Sequence, residues 1–166
     1  MKTPQEFYEF VRDHSDGLFR KGAYPEGEDH PAIILVLFTD GEIVLINAQE
    51  FINAGASKNA IAMIHKKSIH VAPRDGTSVI ASIYISEAWM KSMTKEEAKS
   101  HVPGTSLEGD PNAYDVLLFS VLTQNFQAIM ACKIAPDRLS IERTPFRIAN
   151  AGELKGRFVA NRPAMH

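Results

Sequence analysis

Apolar and polar positions alternate along this chain with two different periods, and the period separates helices from strands. Thr3-Pro4-Gln5-Glu6 is a helix start. Thr3 can cap, Pro4 fits the first helical position, and Glu6 completes a capping box. Phe7, Phe10, Val11 and Leu18 follow as one apolar stripe at helical spacing, and Asp16-Gly17 marks a break. Gly22 to Pro31 is polar and turn-rich, a loop. Ala32 to Phe38 is short, apolar and rich in β-branched residues, which predicts a strand covered on both faces. Asp40-Gly41 separates it from the apolar run ending at Ile46 and predicts a hairpin. The expected turn is type I′, which requires positive φ at both central residues.

Asn47 begins a second capping pattern, with Glu50 at its third helical position, and Ser57 starts a further helix after Gly55. Ala60, Ile61 and Ile64 form that helix's apolar face, while Lys66-Lys67 suit its C-terminal end. Pro73 to Gly76 reads as a turn. Ser78 to Met90, Tyr114 to Thr123 and Phe126 to Ile134 read as three strands, the last two joined tightly by Gln124-Asn125. That hairpin sets Phe119 opposite Met130, Leu117 opposite Cys132 and Val121 opposite Ala128, so one face is apolar throughout. Cys132 is then a core residue. The connection from Lys91 to Ala113 holds a short helix over Met93–Ser100, with irregular chain at Pro103-Gly104 and Asp110-Pro111. Pro136-Asp137 is a turn, Leu139 to Arg143 a short edge strand, and the chain beyond Pro145 a weak helix or tail.

The order is helix, hairpin, helix, three antiparallel strands, tail. It predicts an α+β fold: one domain over 1–166, a mainly antiparallel sheet of five or six strands, and two or three helices. Residues 137–166 are the basic C-terminal edge strand and tail of that domain. The same element order occurs in profilin-like and roadblock-like folds, an analogy that carries no function.

Composition narrows the class. The chain has 166 residues, 45% hydrophobic and 23% charged, ordinary values for a globular domain. Eighteen Lys and Arg against 20 Asp and Glu leave a net charge of −2, which announces no polyanionic or polycationic partner. One cysteine makes neither an internal disulfide nor a cysteine-rich zinc site. No apolar leader follows Met1, and the longest apolar run is far short of a membrane span, so the expected location is cytoplasmic. The charge is uneven: residues 137–166 carry +3 and residues 1–136 carry −5.

Familiar catalytic signatures are missing. The chain has no Gly-Lys-Ser or Gly-Lys-Thr phosphate loop, no Gly-x-Gly-x-x-Gly, no His-Glu-x-x-His and no Gly-x-Ser-x-Gly. His65 and His70 lie five apart, not at the spacing of a helical metal pair, so no metal or cofactor is expected. One constellation stands out. Val79, Ala81, Ile83 and Ile85 share a strand face, and Glu87 and Trp89 continue it. Asp115 heads the stripe Leu117, Phe119, Val121 in the next strand. Antiparallel pairing brings Glu87 and Asp115 to the same end and face of the sheet. Two converging carboxylates can share a proton, hold a divalent ion or act as acid and base. The structural alternative is that each binds backbone amides or an arginine such as Arg74 or Arg138.

Ile85-Ser86-Glu87-Ala88-Trp89-Met90, then Ser106-Leu107-Glu108-Gly109-Asp110-Pro111, then Asp115-Val116-Leu117 resembles a pattern in an uncharacterised family of bacterial proteins. There a strand ending in Glu-Ala-Trp precedes a proline-containing loop and a strand opening with an acid. The likeness covers about a quarter of the chain. This chain differs at Asn112-Ala113-Tyr114, where a basic residue is usual, and at Asp115, where Glu is usual. The family has no known function, and the resemblance implies only that Glu87, Trp89 and Asp115 are structurally linked.

Three functional classes follow as expectations. The leading one is a cytoplasmic binding or assembly module without catalysis, a homodimer using its sheet edges, with no membrane contact. The second is an enzyme using Glu87 and Asp115, possible with divalent-metal assistance. The third is a nucleic-acid accessory protein using the basic C-terminal segment.

Overall fold

A computed structural model describes residues 1–71, 75–102 and 106–148, together with the backbone of 160–161. Among them are four helices and six strands, in the order α1 (Pro4–Arg20), β1 (Ile33–Phe38), β2 (Ile43–Ile46), α2 (Ala48–Asn53), α3 (Lys58–Ser68), β3 (Val79–Met90), α4 (Lys95–Ser100), β4 (Tyr114–Leu122), β5 (Gln127–Lys133) and β6 (Ala160–Asn161). The strands form one antiparallel sheet of order β2-β1-β3-β4-β5, with β6 also on β3. The α+β class is as expected. There are four helices against the two or three expected, because the starts at Asn47 and Ser57, parted at Gly55 with φ +96°, and the short helix Lys95–Ser100 all form.

β3 is the spine. Its first half pairs with β1 as far as Ile33↔Ile85, and its second half pairs with β4 as far as Met90↔Tyr114. Where β1 has ended, β6 takes its place beside Ala88 and Trp89. That pairing corrects the reading of this part of the chain as a weak helix or tail. The β4–β5 register is the expected one, with Leu117↔Cys132, Phe119↔Met130 and Val121↔Ala128.

The β1–β2 hairpin forms at Asp40-Gly41 but not as a type I′ turn. Gly41 has φ +90° and Asp40 is not in the positive-φ region. Gly41 N–H donates to Phe38 O, Phe38 N–H donates to Glu42 O, and Asp40 Oδ1 accepts from Glu42 N–H. This is a three-residue connection closed by a left-handed glycine, which asks for positive φ only once.

α1 packs on one face of the sheet and α2 with α3 on the other. The first interface buries Phe7, Tyr8, Val11 and Phe19 against Leu37, Ile83, Leu117 and Phe119. The second buries Ala32, Ile34, Val36, Phe38 and Ile61. α1 is capped as expected by Thr3, whose hydroxyl oxygen accepts from Glu6 N–H, but it runs unbroken through Asp16-Gly17. One glycine in a helix costs about 1 kcal/mol. Burial of Phe19 beyond it offsets that. Phe10 points outward at 52% exposure. The buried face turns instead through the polar residues Arg12, Ser15 and Asp16.

Those polar residues hold the chain after β5. Tyr8 Oη donates to Thr144 O at 2.6 Å, Arg12 Nη1 donates to the same oxygen at 3.2 Å, and Asp16 Oδ1 accepts from Ile141 N–H at 2.9 Å. The expected edge strand Leu139–Arg143 is therefore reduced to one bridge, Ile134↔Ile141, because side chains of α1 take up this segment's backbone groups. On the other face His65 Nε2–H donates to Ser82 O at 3.0 Å, so this histidine ties α3 to β3. Pro73, Arg74, Pro103, Gly104 and, apart from 160–161, the chain beyond 148 lie outside the described residues. No helix among the described residues is long and apolar enough to cross a membrane.

The clamp on 141–144 predicts that Asp16→Ala destabilises the fold by about 1–3 kcal/mol, the cost of stranding a buried N–H. Urea denaturation at neutral pH measures it.

Candidate functional site: a guanidinium buried between carboxylates

The period-two alternation of β3 turns Glu87 toward the α1 face, and its side chain is only 2% exposed. The register Trp89↔Asp115 puts Asp115 on the same face, one step nearer the sheet end. Both expectations about these residues are met, and what joins them is a cation from the same chain. After β5 the backbone turns back on itself. Arg138 N–H donates to Ala135 O, Ala135 N–H donates to Ser140 O, and Asp137 Oδ1 accepts from Leu139 N–H. Arg138 sits at φ +58°, a left-handed conformation that costs a side-chain-bearing residue about 1–2 kcal/mol. The turn aims its side chain inward.

The guanidinium, 6% exposed, reaches three parts of the molecule. Nη2 donates to Glu87 Oε1 at 2.5 Å and to Glu28 O at 3.2 Å. Nη1 donates to Asp115 Oδ2 at 3.3 Å, and Nε donates to Tyr24 O at 2.8 Å. The Phe19 ring lies 5.6 Å below the guanidinium carbon. A flat, delocalised cation with forked donors suits this position better than an ammonium. Arg138, not a divalent ion, occupies the space between the two carboxylates.

Sequence reasoning missed a third acid. It is Asp29, near enough to Glu87 for its charge to bear on that carboxyl. Burial first, and the Asp29 contact second, push Glu87 up to about 7, while Arg138 pulls it down. Nothing local marks Asp29, because it lies in the polar connection between α1 and β1, 58 positions before Glu87. Beside it, His30 Nδ1–H donates to Pro31 O, and burial pushes the imidazole down to about 4, so the ring is neutral near pH 7.

Outward from the cluster a cleft of about 360 Å³ opens, lined by Trp89, Leu107, Tyr114, Lys133, Asp115 and Arg138 among others. The Lys133 ammonium stands 4.8 Å from the Tyr114 ring centroid, and Lys91 Nζ is 2.9 Å from Asp110 Oδ2. Glu87 does not line this cleft. Cys132 is buried, with Sγ 3.4 Å from Tyr8 Oη, and burial pushes its thiol up, away from the reactive thiolate. In the basic segment, Arg138 is consumed inside the fold and Arg143 pairs with Asp13 at 2.9 Å. Lys155, Arg157 and Arg162 lie outside the described residues.

Removing the cation strands two acids. Arg138→Met is expected to lower stability by about 3–5 kcal/mol, the range for breaking a buried ion pair from one side. Arg138→Lys, which keeps charge but loses the fork, falls between it and the wild type. Chemical denaturation of the three proteins measures the order.

Compared with protein-family models, curated proteins and solved structures, the chain matches none.

Proposed function

We propose that this chain is a small cytoplasmic binding or assembly module that works by association, not an enzyme acting through Glu87 and Asp115. The observation that carries the reading is the placement of Arg138 between those acids. A carboxylate that accepts from a buried guanidinium is committed to the fold, and Glu87 is not among the residues that line the cleft. The resemblance to bacterial proteins whose strand ends in Glu-Ala-Trp fits the same reading, since it links Glu87, Trp89 and Asp115 structurally. The nucleic-acid alternative loses support as Arg138 and Arg143 bind acids of their own chain.

The surface that suits association is the outer edge of β2. β2 is the last strand of the sheet on its side among the described residues, and its four residues Ile43-Val44-Leu45-Ile46 are all apolar. Leu45 is 58% exposed and Ile43 36%. An uncharged edge strand with exposed apolar side chains is open to backbone pairing. Pairing with a second copy across a two-fold axis extends the sheet and covers Ile43 and Leu45 together.

Light scattering over a concentration series is expected to give the mass of a dimer, and Leu45→Lys the mass of a monomer with unchanged melting temperature. Monomer mass for the wild type at high concentration overturns the association. Mg²⁺ and Mn²⁺ are expected to leave the melting temperature unmoved. An ion-induced rise that Asp115→Asn abolishes would restore the catalytic reading.

A further inference from the structure

A strand presents main-chain donors and acceptors along both of its edges, and where it is buried they must find partners. Along one edge, β3 is paired with β4 from Ser82 to Met90. Along the other, β1 accompanies it only as far as Ile85. The stretch Ser86–Met90 runs on beyond β1, and Ser86, Glu87 and Ala88 within it are buried.

One short segment answers that edge among the described strands. Ala160 and Asn161 lie antiparallel to β3, with Ala88↔Asn161 and Trp89↔Ala160. Every other strand pair of the sheet holds along a longer register. A two-residue strand has little hold of its own. Its place is kept by the covalent link through residues 149–159, which makes the pairing intramolecular at an effective concentration on the order of millimolar.

What sits there shows what the place accepts. The pairing is main chain to main chain, so it does not ask for one sequence. It asks for an extended segment antiparallel to β3. It also asks for short residues, since Ala88 is enclosed and Ala160 and Asn161 are both short. A separate segment of that kind can pair further along Ser86–Met90 than the two residues of β6 do. We propose that the edge of β3 beyond β1 is a strand-addition slot for an extended peptide of a partner protein, and that the chain's own C-terminal segment is the plug that fills it in the partner's absence. A longer ladder displaces the plug, which stays tethered. The slot lies two strands from β2 in the sheet order and stands whether or not β2 associates.

Trp89 reports on the slot, because it is the one tryptophan of the chain and it pairs with β6. The test uses the full chain carrying Ala160→Pro together with Asn161→Pro. One of two adjacent residues in an antiparallel pair turns its N–H toward the neighbouring strand, and proline there removes that donor. The probe is a dye-labelled synthetic peptide with the sequence of residues 156–164, its binding read by anisotropy. In the variant, Trp89 emission is expected to shift from its wild-type position and to return as the peptide binds. The wild type is expected to bind the peptide at least tenfold more weakly, because its own segment competes. A peptide carrying the same two prolines is expected to bind neither protein.

Equal binding by wild type and variant overturns the plug. A variant whose emission matches the wild type and which ignores the peptide overturns the slot, and so does binding of the proline peptide. If the variant fails to fold, a protease site placed between Ala151 and Gly152 of the wild type is cut after folding. The freed segment is then expected to leave on dilution, with the same shift of Trp89 emission, and the peptide to reverse it. An emission unmoved by cutting and dilution overturns the proposal.

Discussion

A guanidinium in a protein interior has to be surrounded by acceptors, and satisfying Arg138 organises one whole end of this molecule. Its donors reach β3 through Glu87, β4 through Asp115, and the connection before β1 through Tyr24 O and Glu28 O. Four stretches of chain far apart in sequence meet at one side chain. None can withdraw alone, since an uncompensated charge or carbonyl would remain buried. The left-handed backbone at Arg138 is part of the same arrangement. Its strain is offset because the turn it creates is what delivers the guanidinium.

α1 plays a related part along the rest of that face. A helix that packed on the sheet with hydrocarbon alone would leave the backbone of 141–144 without partners. Tyr8, Arg12 and Asp16 supply them, so the inner face of α1 is half hydrocarbon and half clamp. This explains why the chain after β5 stays close to α1 instead of continuing the sheet. The clamp and the Arg138 turn are consecutive on the chain and together carry it around the sheet end.

The acids at the end of β3 and β4 look at first like chemistry, since carboxylates on an apolar stripe must be neutralised in some way. Here the neutralising charge is internal. The remaining, unusual element is a second acid, Asp29, close to Glu87. Glu87 has both a cation and a second acid for neighbours, and burial together with the second acid outweighs the cation, so its proton is held more tightly than that of a free carboxyl. The open cleft and the apolar β2 edge, by contrast, are surfaces that other molecules can reach.

Much of the scaffold was legible because its determinants are local. Asp40-Gly41 between apolar runs specified a hairpin, and Gln124-Asn125 with alternating residues specified the β4–β5 register. Thr3, Asn47 and Ser57 specified helix starts through contacts three residues long. Alternation alone was enough to place Glu87 and Asp115 on one face at one end, because a strand's period is a property of its backbone. What the sequence could not decide is which of several arginines reaches them, that Asp29 comes near Glu87, or which side of α1 faces inward. The Arg138 contacts span 23 to 114 positions, and the clamp on 141–144 spans 125 or more. Contacts of that length leave no periodic or neighbouring signal. They exist only once the sheet has brought its ends together and burial has made every unpaired charge expensive.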